Sequence, residues 1–278
     1  MGLRPLALAV GALLLVGCAS KVPPTLPIDP GTSTETATAT SAAPAPSPAD
    51  FPVDAVPRPI VLVGPVPVID DWQGLEQEKL AQGHGYRFTG AEPPTPEPTT
   101  VRLPDGPAAL PLVGARDALT GLGGGTDEGE PLELVAVELG TATFSTDRGG
   151  LELPAWRFRS AFGSVHVWPA VAPGAFWHPG AVRASFQAAT TTDGVRLQVE
   201  LGAPDPPCEG HRPETKEVVV TEGEASVKIG VRVVGGPPGD CAQAAIYREQ
   251  YYPVTLSKPL GARLLVLEDD TVIPVTGP

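Results

Sequence analysis

Positive charge is scarce in this chain. Of its 278 residues, 19 are Lys or Arg and 32 are Asp or Glu, a formal net charge of -13 with histidine neutral. A surface with that balance repels phosphate backbones, so nucleic acid is excluded as a partner, and so is a purely electrostatic hold on anionic lipid. Aromatic residues make up only 5%, and there are three cysteines, too few for a disulfide scaffold. The four histidines, His84, His166, His178 and His211, leave few carriers for general acid–base work. None lies in an HExxH pattern, and no serine sits in GxSxG or SxxK. The glycine run "GLGGGTD", Gly121 to Asp127, lacks the glycine spacing, the preceding strand and the lysine of a phosphate loop. It reads as a mobile loop. No catalytic residue, metal or cofactor is expected from these patterns.

What is present in excess is proline, 35 residues, and glycine, 32, against a hydrophobic share of 42%. Together they imply a globule with a substantial core and long unstructured connections. Pro5 to Val16 is almost wholly apolar behind the short positive start Met1-Gly-Leu-Arg4. About a dozen residues cannot span a bilayer, which needs roughly 20, but they fit the core of a secretory signal. The run ends Leu15-Val16-Gly17-Cys18. This tetrapeptide resembles the lipobox of bacterial lipoproteins, in which the thiol takes a diacylglyceryl group and the cysteine becomes the first mature residue. Residues 1–17 are then the signal peptide. Cys18 carries the palmitate-type anchor, and the expected location is the extracytoplasmic face of the cell membrane. Two acyl chains give stable anchoring where one does not.

Residues 18–57 show almost no apolar periodicity, and "GTSTETATATSAAPAPSPAD", Gly31 to Asp50, is Thr, Ala, Ser and Pro with hardly a large side chain. Such a segment buries too little surface to offset its conformational entropy and is expected to be a disordered tether. Order is expected from about Pro59, with a small strand–helix unit over 58–91. There, Asp70 or Asp71 caps a helix whose apolar side holds Trp72, Leu75 and Leu80, and Gly83 ends it. Residues 92–130 read as a Pro/Gly-rich connection, with one further helical turn in "ARDALTGL". From 131 to 278 the apolar pattern has period two. Val182 to Ala188 and Val195 to Leu201 alternate on either side of Asp193-Gly194, and Val227, Ile229, Val231 and Val233 share a face in "KEVVVTEGEASVKIGVRVV". Nine or ten short strands predict a mainly β fold: a two-layer β-sandwich-like domain with a small N-terminal α/β appendage.

Cys208 and Cys241 bracket that second hairpin and, outside the membrane, are expected to form a disulfide. Zinc on Cys208, His211 and Cys241 is the alternative, with only three ligands visible. "EDD", Glu268 to Asp270, reads as a solvated turn, since the spaced ligands of a calcium loop are absent. Trp156, Trp168 and Trp177 cluster within 22 positions together with Phe158, Phe162 and Phe176. Exposed, such rings stack on sugars, so these three tryptophans are candidate glycan contacts; Trp156 and Phe158 alternate with Arg157 and Arg159, the pattern of a packed strand.

"TDRGGLELPAWRF" (Thr146 to Phe158) and "YPVTLSKPLGARLLVLEDDTVIPV" (Tyr252 to Val275) resemble segments of uncharacterised actinobacterial secreted lipoproteins, where RG-x-PAW-x-F and V-x-L-x-x-PLG-x-R recur. This chain departs from them at Ala262, where PLGDR is usual, and at Asp269-Asp270. The resemblance implies location and carries no activity. The function expected is a non-catalytic binding or structural role in the cell envelope, with the membrane, a cell-wall glycan or an envelope protein as partner. The alternative is a divergent secreted hydrolase with a histidine-based site in the β-domain.

Overall fold

A computed structural model describes residues 46–277, apart from positions 65, 67, 72, 73, 75–77, 79, 80, 82, 83, 124–128, 237, 238, 240 and 242–246. The signal segment, Cys18, tether residues 18–45, and Trp72, Leu75, Leu80 and Gly83 of the expected helix lie outside the described residues. The last part of the expected tether, 46–57, belongs to the folded body. Phe51 is buried, its ring edge-on to Trp177 at 5.4 Å, with the Arg58 guanidinium 4.7 Å from its face. One aromatic at the right spacing outweighs the polar composition around it.

The fold is mainly β, in two halves of one unit, Pro44–Pro278. The first half is a five-stranded sheet in the order β1-β7-β6-β5-β2, formed by β1 (Val68–Asp71), β2 (Tyr86–Phe88), β5 (Leu132–Thr146), β6 (Gly149–Ser160) and β7 (Val165–Pro169). Both of its faces are covered. Leu151, Leu153 and Ala155 of β6 pack under the hairpin β3 (Thr99–Leu103) and β4 (Gly106–Leu110). Trp156 and Phe158 point the other way, under helix α1 (Ala115–Leu122), whose Ala115, Ala118 and Leu122 recur at helical spacing. Gly123, at φ 120°, ends the helix. The expected strand–helix unit is therefore not separate, because 58–91 supplies both edge strands of this sheet. Asp70 and Asp71 are the last two residues of β1, and Asp70 pairs with Arg157 at 2.5 Å. Nor is 92–130 a mere connection, since it forms a hairpin and a helix.

The second half is a two-layer β-sandwich over 189–276, shorter than the expected 131–278, because β5, β6 and β7 belong to the five-stranded sheet. One layer is β10 (Thr215–Glu222), β11 (Ser226–Val234) and β13 (Leu264–Leu267). The other is β12 (Glu249–Thr255), β9 (Arg196–Gly202), β8 (Ala189–Thr191) and β14 (Val275–Thr276). Leu197, Val199, Val227, Ile229, Val254 and Leu265 fill the space between them. The Asp193-Gly194 turn forms as read: Gly194 has φ 72°, and Asp193 Oδ1 accepts from the N–H groups of Val195 and Arg196. Residues 182–188, expected as its partner strand, make only an isolated bridge at Ala184, and Phe186 is left exposed against Tyr247. Cys208 and Cys241 are joined, 33 residues apart in sequence, across the open end of the β10–β11 hairpin. Closing a loop of that length contributes about 3–4 kcal/mol through the unfolded state.

Two arginines, Arg58 and Arg148, tie the halves together, and a third, Arg263, braces the loop that they bind. The loop Lys258–Arg263 presents six successive carbonyls, and every one accepts from a guanidinium. Arg263 curls back to reach Lys258 O, Pro259 O and Leu260 O at 3.0, 2.9 and 3.2 Å. Arg148, at the β5–β6 turn, donates to Gly261 O and Arg263 O at 2.7 and 2.6 Å. Arg58 Nε donates to Ala262 O at 3.0 Å, while its other nitrogens grip Asp147 at 3.1 and 2.5 Å. Burial pulls the Arg148 guanidinium down to about 10 against the opposing pull of Asp147, so it remains charged at neutral pH. The DRG and PLGAR segments, 110 residues apart in sequence, thus meet as one hydrogen-bonded node.

Candidate functional site

The three clustered tryptophans have different fates. Trp156 is 1% exposed, and its indole N–H donates to Val113 O at 2.8 Å. Trp177 is 6% exposed, between Phe51 and His178. Neither offers a ring face to a ligand, so both are corrected to core residues. Packing them is worth more than exposing them, because each large ring brings its full apolar area out of water. Phe158 is likewise buried, and Phe162 stands half out of the surface at the β6–β7 turn.

Trp168 is different. Its half-buried indole lines a surface cleft of about 320 Å³ together with Leu62, Val113, Val171 and Phe176. One wall is α1, which contributes Asp117, Thr120 and Gly121, one helical turn apart on the face away from the core. Gly121 is required there. A Cβ at that position would stand 2.3–2.5 Å from the Trp168 ring, so the bare backbone lets the indole lie against the helix. The cleft is positioned by the ladder between Pro111–Val113 and Ala170–Ala172, in which Val113 N donates to Ala170 O at 2.7 Å and Ala172 N to Pro111 O at 2.9 Å. Its wall is apolar and aromatic, with a carboxylate and a hydroxyl at the rim. Sequence spacing flagged Trp168 but not its partners on α1, which come from 50 residues upstream.

A second constellation is fully buried and was missed. His166 is 0% exposed on β7, beside Glu78, Ser160 and Ser164. Ser164 Oγ lies 2.9 Å from His166 Nε2, Glu78 Oε2 lies 3.3 Å from the same nitrogen, and Tyr86 O–H lies 3.4 Å from Nδ1. Both serine hydroxyls donate to Glu78 Oε1, Ser164 at 2.5 Å. Ser160 Oγ also accepts from the N–H groups of Phe162 and Gly163, each at 3.1 Å. Burial pushes the Glu78 carboxyl up, but the hydrogen bonds from Ser160, Ser164 and His166 outweigh it and hold the group below its ordinary value. Burial lowers the His166 imidazole against the pull of Glu78, so it is neutral. The assignment that satisfies every group puts the proton on Nε2 and has Tyr86 donate to Nδ1.

The parts of a serine–histidine–acid relay are all here, in the wrong order. In a relay the serine and the carboxylate occupy opposite ring nitrogens. Here they share Nε2, and the serine gives its proton to the carboxylate. All four groups are sealed from solvent, so the cluster is a structural pin. Glu78 sits in a helical turn, its N–H bonded to Gly74 O at 3.2 Å, and the pin holds that turn onto the β6–β7 hairpin.

Among the described residues the other histidines do not join a site. His178 and His211 are exposed, and His84 packs against Gly129. Zinc on Cys208 and Cys241 is ruled out by the bond between the two sulfurs. Among the described residues no group of three or more His, Cys, Asp or Glu could hold a metal. At the "EDD" turn Asp269 accepts from Thr271 N–H and Oγ1, and Asp270 pairs with Lys228 at 2.9 Å. The fold and cleft define a mainly β protein with an aromatic-walled apolar cleft. No protein-family model, curated protein or solved structure matches this chain.

Proposed function

We propose that this chain is a lipid-anchored protein of the extracytoplasmic face of the cell membrane that acts by binding, and that its ligand is a cell-wall sugar stacked on Trp168. The supporting observation is the cleft itself. A sugar ring has an apolar C–H face that fits against an indole and hydroxyls that bond to a carboxylate and a hydroxyl, and Asp117 and Thr120 stand at the rim beside Trp168. A volume of about 320 Å³ accommodates one or two rings, at the lower end of small-ligand sites. A net charge of -13 disfavours anionic polymers and is neutral toward uncharged glycan.

Titration with wall polysaccharide is expected to change the tryptophan emission of the intact chain, and Trp168→Ala is expected to abolish the change. Trp156 and Trp177, sealed in the core, give a constant background. An emission unchanged by polysaccharide, or changed equally in Trp168→Ala, rejects the glycan reading. The anchor is tested by the intact mass of the native product: a chain beginning at Cys18 and carrying a diacylglyceryl group is expected. A product starting at Met1, or a bare thiol at Cys18, refutes it.

A further inference from the structure

The long strand β5 has an open stretch along one side. Its inner side pairs with β6 from Leu134 to Thr146. Its outer side is covered at one end by β2, where Thr89 N donates to Leu134 O at 2.9 Å. At the other end Val63 N donates to Ser145 O at 3.0 Å and Asp147 N to Val61 O at 3.1 Å. Backbone groups along an antiparallel strand turn alternately to one side and the other. The outward direction of Ser145 and Asp147 therefore sets that of Thr143, Thr141, Leu139 and Val137. A register shift between Leu134 and Ala136 reconciles this with the outward carbonyl of Leu134. Four N–H and four C=O groups consequently face outward with no hydrogen-bond partner among the described residues.

Edge strands are ordinarily blunted by proline, lysine, a bulge or a covering element. Residues 136–144 contain neither proline nor lysine, and the bulge lies outside the open stretch. The one charge, Glu138, lies 3.6 Å from Arg157 on the neighbouring strand. Leu139 is 44% exposed.

We propose that this stretch is a docking site for a short extended segment of a partner polypeptide, which adds as a strand beside β5. The recognition chemistry is that of the backbone itself. Donor–acceptor pairs repeating every second residue, about 7 Å apart, are matched by another extended backbone and by little else. Length selects the occupant. The window between Thr89 and Val63 is about seven residues long, whereas β5 has 15. A second copy pairing β5 to β5 would drive its strand into Thr89 or Val63. A short segment whose ends turn away fits, with an apolar side chain placed to meet Leu139. This site is distinct from the Trp168 cleft, and either can fail without the other.

The test is amide hydrogen exchange on the full chain, with and without an acetylated, amidated heptapeptide copying residues 137–143. The N–H groups of Val137, Leu139, Thr141 and Thr143 are expected to exchange freely in the chain alone, while those of Glu138 and Ala142, turned toward β6, are protected. Peptide is expected to slow the first set at least about tenfold. Leu139→Pro removes an unpaired N–H at an edge, where proline is tolerated, so it is expected to abolish the peptide effect with Glu138 and Ala142 still protected. Should Leu139→Pro not fold, Thr141→Pro carries the same reading. Exchange indifferent to peptide, or outward amides already protected in the monomer, overturns the proposal. Protection that appears only with dimerisation of the chain overturns it too, by assigning the edge to a second copy.

Discussion

Arg263→Ala is expected to lower stability by about 3–5 kcal/mol, read as a fall in the denaturant midpoint at unchanged slope. The side chain is 5% exposed and satisfies Lys258 O, Pro259 O and Leu260 O while pairing with Glu222 at 3.0 Å. Glu222 is held below the ordinary carboxylate value, first by the backbone N–H of Ser257 and further by Arg263. Truncation leaves Lys258 O and Pro259 O without their guanidinium donor, while Leu260 O keeps the backbone N–H of residue 263 at 3.1 Å, and the loop that Arg148 and Arg58 bind loses its internal brace. Arg263→Lys is expected to recover little, because a point charge lacks the planar fork that reaches several carbonyls at once. A midpoint within about 1 kcal/mol of the parent would mean that the carbonyls find water and that the node is not a tie.

Glu78→Ala is the second large effect, again about 3–5 kcal/mol, because two buried hydroxyls and an imidazole N–H each lose their acceptor. Glu78→Gln keeps an acceptor oxygen and is expected to be milder. The same pin makes the fold acid-sensitive. The native state resists protonation at both His166 and Glu78, whereas the unfolded chain takes up protons near the ordinary values of 6.5 and 4.5. Stability from these groups is therefore full above pH 6.5 and is lost as pH falls, first on the histidine limb and then on the glutamate limb. Each proton taken up only by the unfolded chain gives a slope of about 1.4 kcal/mol per pH unit. His166→Gln is expected to remove the limb between pH 6.5 and 5. Urea midpoints that are flat over that interval in the parent chain would contradict a neutral, buried His166.

Much of the β architecture was legible because its signal is local. Alternation placed the β10–β11 hairpin, Asp193-Gly194 marked the turn between β8 and β9, and oxidation of Cys208 with Cys241 followed from their bracketing the β10–β11 hairpin. The failures share a cause. Residues 182–188 alternate as well as any strand, yet no neighbouring strand was free to pair along their length, and Phe186 was left in solvent. Residues 46–57 read as tether by composition, but Phe51 found Trp177. The tryptophan cluster was noticed as one feature, although neighbouring strand positions point to opposite faces and each ring met a different environment.

The sequence alone determined the mainly β character, the cysteine pairing, the turns and the candidate aromatics, all of which rest on interactions between near neighbours or on composition. Only the tertiary structure decided that 58–122 completes the sheet and covers it, that Arg58, Arg148 and Arg263 converge on one loop, that His166 is sealed beside Glu78, and that Trp168, unlike Trp156, lines the apolar cleft against α1. Those facts depend on which distant segments come to share a hydrogen bond or a buried surface. No local spacing carries that information, because the energy that selects the contact exists only once both segments have left water together.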